Sequence, residues 1–376
     1  MKKTHLICII LCCLYSVNGQ NKTDIIIGNI DSLNSKILNE ERKLWIHIPK
    51  NNSNIVYQNQ NYPVVYLLDG NDHFKSVVGL IEHMSSVNLC PKMIVVGIPN
   101  TNRTRDLTPT KVKADPPFIN KTMANQSGGG SNFLSFIEKE LIPYINSNYP
   151  TEPYRMFIGH SFGGLTVMNT LIKKPELFNS YISIDPSMWW DNKKLLNKIK
   201  QTTLDKKYNN KSLYLAIANT MNKDMDTLNV KKDTTIATRH IRAILELNTY
   251  LNNYTKKQLS FKGTYYENDD HGSVPLIAEY DALRYIFNFY KLDIDLQDLT
   301  DPKADLLGKV KNHYNRISKI FEKNIKPKED FVNMLAYQLL NMQQLKKAEI
   351  FFQLNVTNYP ESFNTYDSLA DFYVAT

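Results

Sequence analysis

The run Gly159-His160-Ser161-Phe162-Gly163 is where residue type and spacing in this sequence first imply bond-breaking chemistry. A serine hydroxyl is a weak nucleophile near neutral pH and needs a neighbouring base. An apolar, strand-like run, Arg155–Ile158, precedes Ser161, and a helical pattern begins near Gly164. A serine between a strand and a helix sits on a sharp turn that lifts its hydroxyl clear of the sheet edge. The glycines allow strand and helix to approach closely there. The N-terminus of the following helix favours developing negative charge. The backbone N–H of Phe162 is then one donor to the oxyanion of acyl transfer.

The base is reached by elimination. In such strand–turn–helix sites the partners follow in the order serine, acid, histidine. Of the eight histidines, His5 lies in an N-terminal apolar segment, and His47, His73, His83 and His160 precede Ser161. His240 lies in a helical pattern, and His313 in the C-terminal helices, where a lone histidine is more often structural. His271 remains, in the polar loop Asn268-Asp269-Asp270-His271-Gly272-Ser273, between a strand and a helix. We assign it as the base. The acid is expected after the strand Leu213–Ala218, where Asp226 is preferred and Asp224 is the alternative. Asp269 and Asp270 read as turn residues.

The second oxyanion donor is expected from Leu68-Asp69-Gly70-Asn71, after an early strand, with Asn71 N–H as the candidate and Gly70 admitting close approach. Ser187-Met188-Trp189-Trp190 follows the next strand and would lie beside the serine. Trp189 and Trp190 are therefore candidates for an apolar pocket wall, with a buried core role as the alternative. No zinc-type cluster and no phosphate-cradling glycine loop occurs, so no cofactor or metal is expected.

The elements that must position these residues alternate. Strand-like runs at Val64–Leu68, Met93–Ile98, Arg155–Ile158, Tyr181–Ile184, Leu213–Ala218 and Leu259–Tyr266 are short, apolar and turn-bounded. Another strand-like stretch runs from Asn21 to about Lys50. Helical candidates lie at Phe133–Asn146, Gly164–Lys173, Thr235–Leu251 and Pro275–Tyr290. This pattern implies an α/β fold with a mostly parallel central sheet and helices on both faces. Asn100–Gly130, rich in proline and glycine, reads as a long loop over one sheet end.

The 376 residues, 42% hydrophobic and 22% charged, are those of a globular chain with a sizeable core. The net charge of +8 comes from scattered lysines, with no basic run interleaved with aromatics, so nucleic acid is not an expected partner. Lys2-Lys3, the apolar Leu6–Tyr15 and Val17-Asn18-Gly19 read as a signal peptide over residues 1–19. Its removal would leave a charge near +6 and Cys90 as the single cysteine, which excludes an internal disulfide. Export to a bacterial periplasm or the medium is the expected destination.

Residues 20–292 form the expected catalytic domain, and residues 293–376 a small all-helical segment. Val332, Leu335, Ala336 and Leu339 recur 34 residues later as Tyr366, Leu369, Ala370 and Tyr373, with Ala348, Phe352 and Pro360 between. That period and pattern fit a tetratricopeptide repeat, which would offer a protein-binding surface.

Together these motifs resemble the esterase family that contains esterase D, ferric-enterobactin esterases, feruloyl and acetylxylan esterases, and the mycolyltransferases. The resemblance rests on Tyr66–Gly70, Val96–Asn100, Arg103–Pro109, Gly159–Gly164, Pro186–Trp190 and Asp270–Ser273, and covers about Ser35 to Tyr290. It implies the α/β-hydrolase fold, with Ser161 and His271 in the roles given above. The implied substrate is a short-chain, aryl, thioester or siderophore ester. By similarity to the siderophore-esterase branch, Arg105 would bind an anionic or catecholate oxygen in the pocket, with a structural salt bridge to Asp106 as the alternative. A carbohydrate acetyl or feruloyl esterase and an acyltransferase share the same triad. A non-catalytic scaffold displaying the repeats is the alternative of another class.

Overall fold

The computed structural model describes residues 24–50, 60–254 and 258–376. The expected signal peptide lies outside them. The strands are β1 (Asn29–Ser35), β2 (Glu40–His47), β3 (Tyr62–Leu68), β4 (Ile94–Ile98), β5 (Thr151–His160), β6 (Ser180–Ile184), β7 (Lys211–Ala218) and β8 (Leu259–Tyr266). They form one sheet in the order β1-β2-β4-β3-β5-β6-β7-β8. The β1–β2 and β2–β4 pairs are antiparallel, and the remaining pairs are parallel. β3, β4 and β6 are buried at every position, which is why they read as unbroken apolar runs rather than alternating ones.

Helices cover both faces. On one side lie α1 (Gly70–Ser86) and α9 (Val274–Ile286), which bury Val77, Ile81, Ala278 and Leu283 against Val65, Ile158 and Ala216. On the other lie α4 (Gly130–Phe136), α6 (Phe162–Lys173), α7 (Trp190–Gln201) and α8 (Arg239–Tyr254). Phe133, Leu165, Leu196 and Ile244 pack there with Tyr66, Phe157 and Leu213. α4 continues through a π-turn, Ile137–Leu141, into α5 (Ile142–Asn148).

Three local expectations change. α1 is a 17-residue helix where only a turn after β3 was read. Residues 25–27 lie outside any strand. The long loop holds two short helices, α2 (Arg103–Leu107) and α3 (Lys121–Gln126), each capped by an asparagine side chain (Asn102 and Asn120).

Beyond residue 292 the chain is helical: α10 (Leu296–Thr300), α11 (Leu306–Phe321), α12 (Glu329–Asn341), α13 (Leu345–Asn358) and α14 (Phe363–Ala375). α11 serves two cores. Leu306 and Val310 join the cluster of Val332, Leu335, Leu339 and Phe352. Ile317 and Phe321, further along, belong to the hydrolase-side cluster. The Phe321 ring lies 4.8 Å from that of Tyr154 on β5 and is near-parallel to that of Phe287. In α14 the buried positions are Thr365, Ser368 and Phe372, whereas Tyr366 and Tyr373 face outward.

Candidate active site

Ser161 sits where β5 ends and α6 begins, with φ 59° and ψ −113°, a conformation few non-glycine residues adopt. Its N–H donates to Ile184 O on β6 (2.9 Å), and its carbonyl accepts from Ser187 N–H (3.1 Å). Those bonds help hold the strained turn. A Cβ on Gly159 would lie 2.4 Å from the Gly163 carbonyl carbon, so only glycine admits this approach of strand and helix. The Ser161 hydroxyl lies 3.4 Å from that of Ser187 and makes no hydrogen bond to His271 in this state. Such contacts often tighten only when substrate binds.

His271 sits in the loop between β8 and α9. That loop is closed by Asp270, whose carboxylate accepts from Gly272 N–H (2.8 Å) and Ser273 N–H (2.9 Å). Asp269 anchors it to β7 through Asn219 N–H (2.8 Å) and accepts from the Ser273 hydroxyl. Both aspartates are turn residues, as read from the sequence.

The carboxylate on His271 is neither Asp226 nor Asp224. Both lie on the exposed stretch after β7. Asp226 is spent on a local turn, accepting from Leu228 N–H (2.8 Å), Asn229 N–H (2.7 Å) and the Asn229 amide (2.9 Å). Asp185, at the end of β6 beside the nucleophile strand, takes the place instead. Its Oδ2 is 2.6 Å from His271 Nδ1. It is fully buried, and its Oδ1 accepts Ala218 N–H at 3.0 Å. Burial alone would raise its pKa, but His240 and His271 outweigh that and hold the carboxyl below the usual range. The available signal was an aspartate directly after a buried strand adjacent to β5. The expectation of an acid after β7 hid it.

Two further histidines line the site. The His160 ring lies 4.5 Å from that of His271, and burial pushes its pKa down to about 3, so it is neutral. His240, in the first turn of α8, places Nε2 at 2.8 Å from Asp185 Oδ2. The sequence had placed it in a helix as structural. Asp185, His240 and His271 have donor atoms within 4.8 Å of one another, close enough to share a cation. Their mutual hydrogen bonds already account for the arrangement.

Phe162 N–H opens α6, and Asn71 N–H lies in the first turn of α1, where helical N–H groups lack intrahelical acceptors. The two turns abut, since a Cβ on Gly163 would lie 3.1 Å from Asp69 Oδ2. Gly70 is required, because a Cβ there would lie 2.7 Å from Ile98 N. Asn71 is exposed while Gly70 is buried.

The pocket expectations divide. Trp190 is core: it is buried, donates Nε1–H to Thr110 O (3.2 Å) and meets Phe162 edge-on. Trp189 is half-buried, and Arg239 stacks over it (4.2 Å) and over Phe118 (4.4 Å). Arg105 is not free for a substrate. Nε donates to Asp106 (2.7 Å), and Nη1 and Nη2 donate to the two Glu40 oxygens (3.0 and 2.7 Å). With buried Arg42 on Asp106 and Glu40, they form a structural charge network. A cavity of about 510 Å³ lined by Lys193, Lys200, Arg242, Glu246 and Tyr250 includes no residue of the Ser161 site.

Residues 35–264 match the family described as "Putative esterase". The chain is 32% identical over 169 residues to the ferri-bacillibactin esterase BesA of Bacillus subtilis, covering 42% of this chain and 58% of that protein. It is 29% identical over 151 residues to the siderophore enterobactin esterase of Emericella nidulans, covering 36% of this chain and 50% of that protein. The matches thus span little more than half the length of these curated relatives. The crystal structure of an IroE-like serine hydrolase from Shewanella oneidensis superposes with a TM-score of 0.70 at 30% identity, covering 87% of this chain and 98% of that one. With the parallel sheet, the elbow at Ser161 and the histidine loop after β8, these matches place the chain: it belongs to the esterase family of α/β-hydrolase fold.

Proposed function

We propose that this protein is a serine carboxylic ester hydrolase acting on siderophore-type or small aryl esters through an acyl-enzyme on Ser161. The observation that carries the reading is the 2.6 Å contact of His271 Nδ1, in the loop after β8, with Asp185 Oδ2 at the end of β6, the strand beside the strained Ser161 turn. That contact leaves Nε2 of His271 to act on the serine. His271 takes the hydroxyl proton as Oγ attacks the ester carbonyl. The oxyanion is met by the N–H groups of Phe162 and Asn71, in a site where fixed dipoles need no reorganisation. As the tetrahedral intermediate collapses, the protonated His271 returns the proton to the leaving alcohol. Water then repeats the sequence on the acyl-enzyme, releasing the acid and the free serine. Asp185 remains ionised and stabilises the imidazolium.

Siderophore esters are favoured because curated relatives named as siderophore esterases share the matched region. Half-buried Trp189, with Arg239 stacked on it, is a suitable wall for an aromatic acyl or alcohol group. We further propose that residues 1–19 direct export. We also propose that the helical tail is tetratricopeptide-like, a reading supported by the burial of Val332, Leu335, Ala336, Leu339, Ala348 and Phe352 between its helices. Its outward Tyr366 and Tyr373 would then meet a protein partner.

The test is the initial rate of p-nitrophenyl acetate hydrolysis by the wild type and by Ser161→Ala. Loss of nearly all the rate in a folded mutant supports the nucleophile; equal rates refute it. Hydrolysis of a ferric triscatecholate trilactone, compared with acetylated or feruloylated xylan, separates the siderophore reading from the carbohydrate one. Added alcohol acceptors that divert product into new esters would reveal an acyltransferase.

A further inference from the structure

One carboxylate oxygen in this site serves two imidazoles. Asp185 Oδ2 lies 2.6 Å from His271 Nδ1 and 2.8 Å from His240 Nε2. The two rings stand nearly perpendicular, with centroids 5.2 Å apart. Asp185 has no exposed surface, so bulk solvent does not reach this oxygen. Its other oxygen is taken by Ala218 N–H, and its own N–H by Ala216 O, so its backbone is fixed without either histidine. His240 therefore does not simply hold the aspartate in place. As a second hydrogen-bond donor it draws charge density away from the oxygen that supports His271.

We propose that His240 is a positioning residue that sets the basicity of His271 by sharing the Asp185 carboxylate with it. The proposal rests on the esterase reading given above. An unshared Oδ2 would favour the imidazolium form of His271 more strongly, so the base would stay protonated to higher pH and become a poorer proton acceptor at neutral pH. His240 thus tunes the carboxylate to support the imidazolium without trapping the proton. The other titratable groups nearby do not supply this effect. His160 is kept neutral by burial, and the Asp270 carboxylate is turned to the N–H groups of Gly272 and Ser273. His73 lies beyond His160, its ring 5.8 Å from that of His160. Arg239, next to His240, is turned to Asp115 and stacked on Phe118 and Trp189.

The experiment uses the full chain with His240→Leu and His240→Gln. Leucine removes the donor; the glutamine amide can reach the same oxygen. The acid limb of the kcat/KM–pH profile is expected to move to higher pH by about half a unit or more in H240L, with kcat at neutral pH reduced severalfold and KM nearly unchanged. H240Q is expected to restore both. Superimposable profiles, or a glutamine variant no better than leucine, would overturn the proposal. Should H240L not fold, H240N, whose amide stops short of the carboxylate, replaces it. The low-field proton resonance of His271 Nδ1–H provides a readout independent of turnover. It is expected to move downfield in H240L, and an unchanged resonance counts against the proposal. Because the resonance needs no substrate, absence of esterase activity in the wild type would refute the esterase reading alone.

Discussion

Arg103 grips Asp69 with two parallel bonds, Nε to Oδ1 at 2.6 Å and Nη2 to Oδ2 at 2.9 Å, and also reaches the carbonyl of His160 at 3.2 Å. One guanidinium thus ties the end of β3 to the residue before the nucleophile, and Asn100 adds a 2.6 Å bond to the same carboxylate. Asp69 is buried in a left-handed conformation at the start of α1, so removing its partner strands a charge. Arg103→Met is expected to destabilise the fold by about 1–3 kcal/mol, read from urea unfolding, since Arg103 is partly exposed and Asn100 still meets the carboxylate. Arg103→Lys should recover only part, because an ammonium cannot form the two-pronged bond. A loss in R103M within error of zero would show the pair to be incidental.

Asp185 and Asp226 make opposite predictions. Asp185→Asn should leave the fold intact and lower kcat by about 10⁴, since an amide presents the wrong partner to His271 Nδ1. Asp226→Asn should leave kcat within about twofold, because its carboxylate only closes a local turn. Kinetics on p-nitrophenyl acetate check both, and the reverse ranking would return the acid to the loop after β7.

Glu279 on α9 is buried, accepts from the Ser76 hydroxyl at 3.0 Å, and has its pKa pushed up to about 8 by burial. His73 Nδ1 is 3.5 Å away, but burial also lowers the His73 pKa, so the pair is read as neutral. A carboxyl with a raised folded-state pKa binds more protons folded than unfolded. Stability should therefore fall as pH rises from about 4.5 to about 8, by up to about 1.4 kcal/mol per pH unit. Glu279→Gln should flatten that slope. Melting temperatures measured from pH 5 to 9 test it, and parallel curves for the two proteins would contradict the neutral assignment.

Phe321 joins the tail to the sheet. Phe321→Ala is expected to cost about 3–5 kcal/mol and to lower one shared melting transition rather than create a second. A separate early transition of the helical segment would show the two parts to be independent.

Much of this was legible in the sequence because β3, β4 and β6 are buried on both faces and therefore announce themselves as apolar runs. The edge strand β8 was read with its observed ends, and β3 to β7 within a few residues. The turn that carries Ser161 and the loop that carries His271 were legible because their motifs are local. The acid was not, because its identity depends on which strand end reaches across the sheet, and a template order chose the wrong strand. For Arg105 the alternative, a salt bridge with the adjacent Asp106, is the one present, while its other partner, Glu40, lies 65 residues away on β2, a pairing no local pattern reveals. α1 was missed because its start, Asp69-Gly70-Asn71, reads as a turn when taken alone.

The division of α11 between two cores bears on how the protein could be cut or recombined. Composition suggests a breakpoint near residue 292, yet a fragment ending there would lose Ile317 and Phe321 and bare the aromatic rings of Tyr154 and Phe287. The natural joint lies within a helix, past its first half. A chimera that exchanged the tail would inherit a matching problem at those rings. Helical tails could pass between α/β-hydrolase-fold domains only along with the surface that receives Phe321, so the tail is less a detachable attachment than the last layer of the sheet domain's own packing.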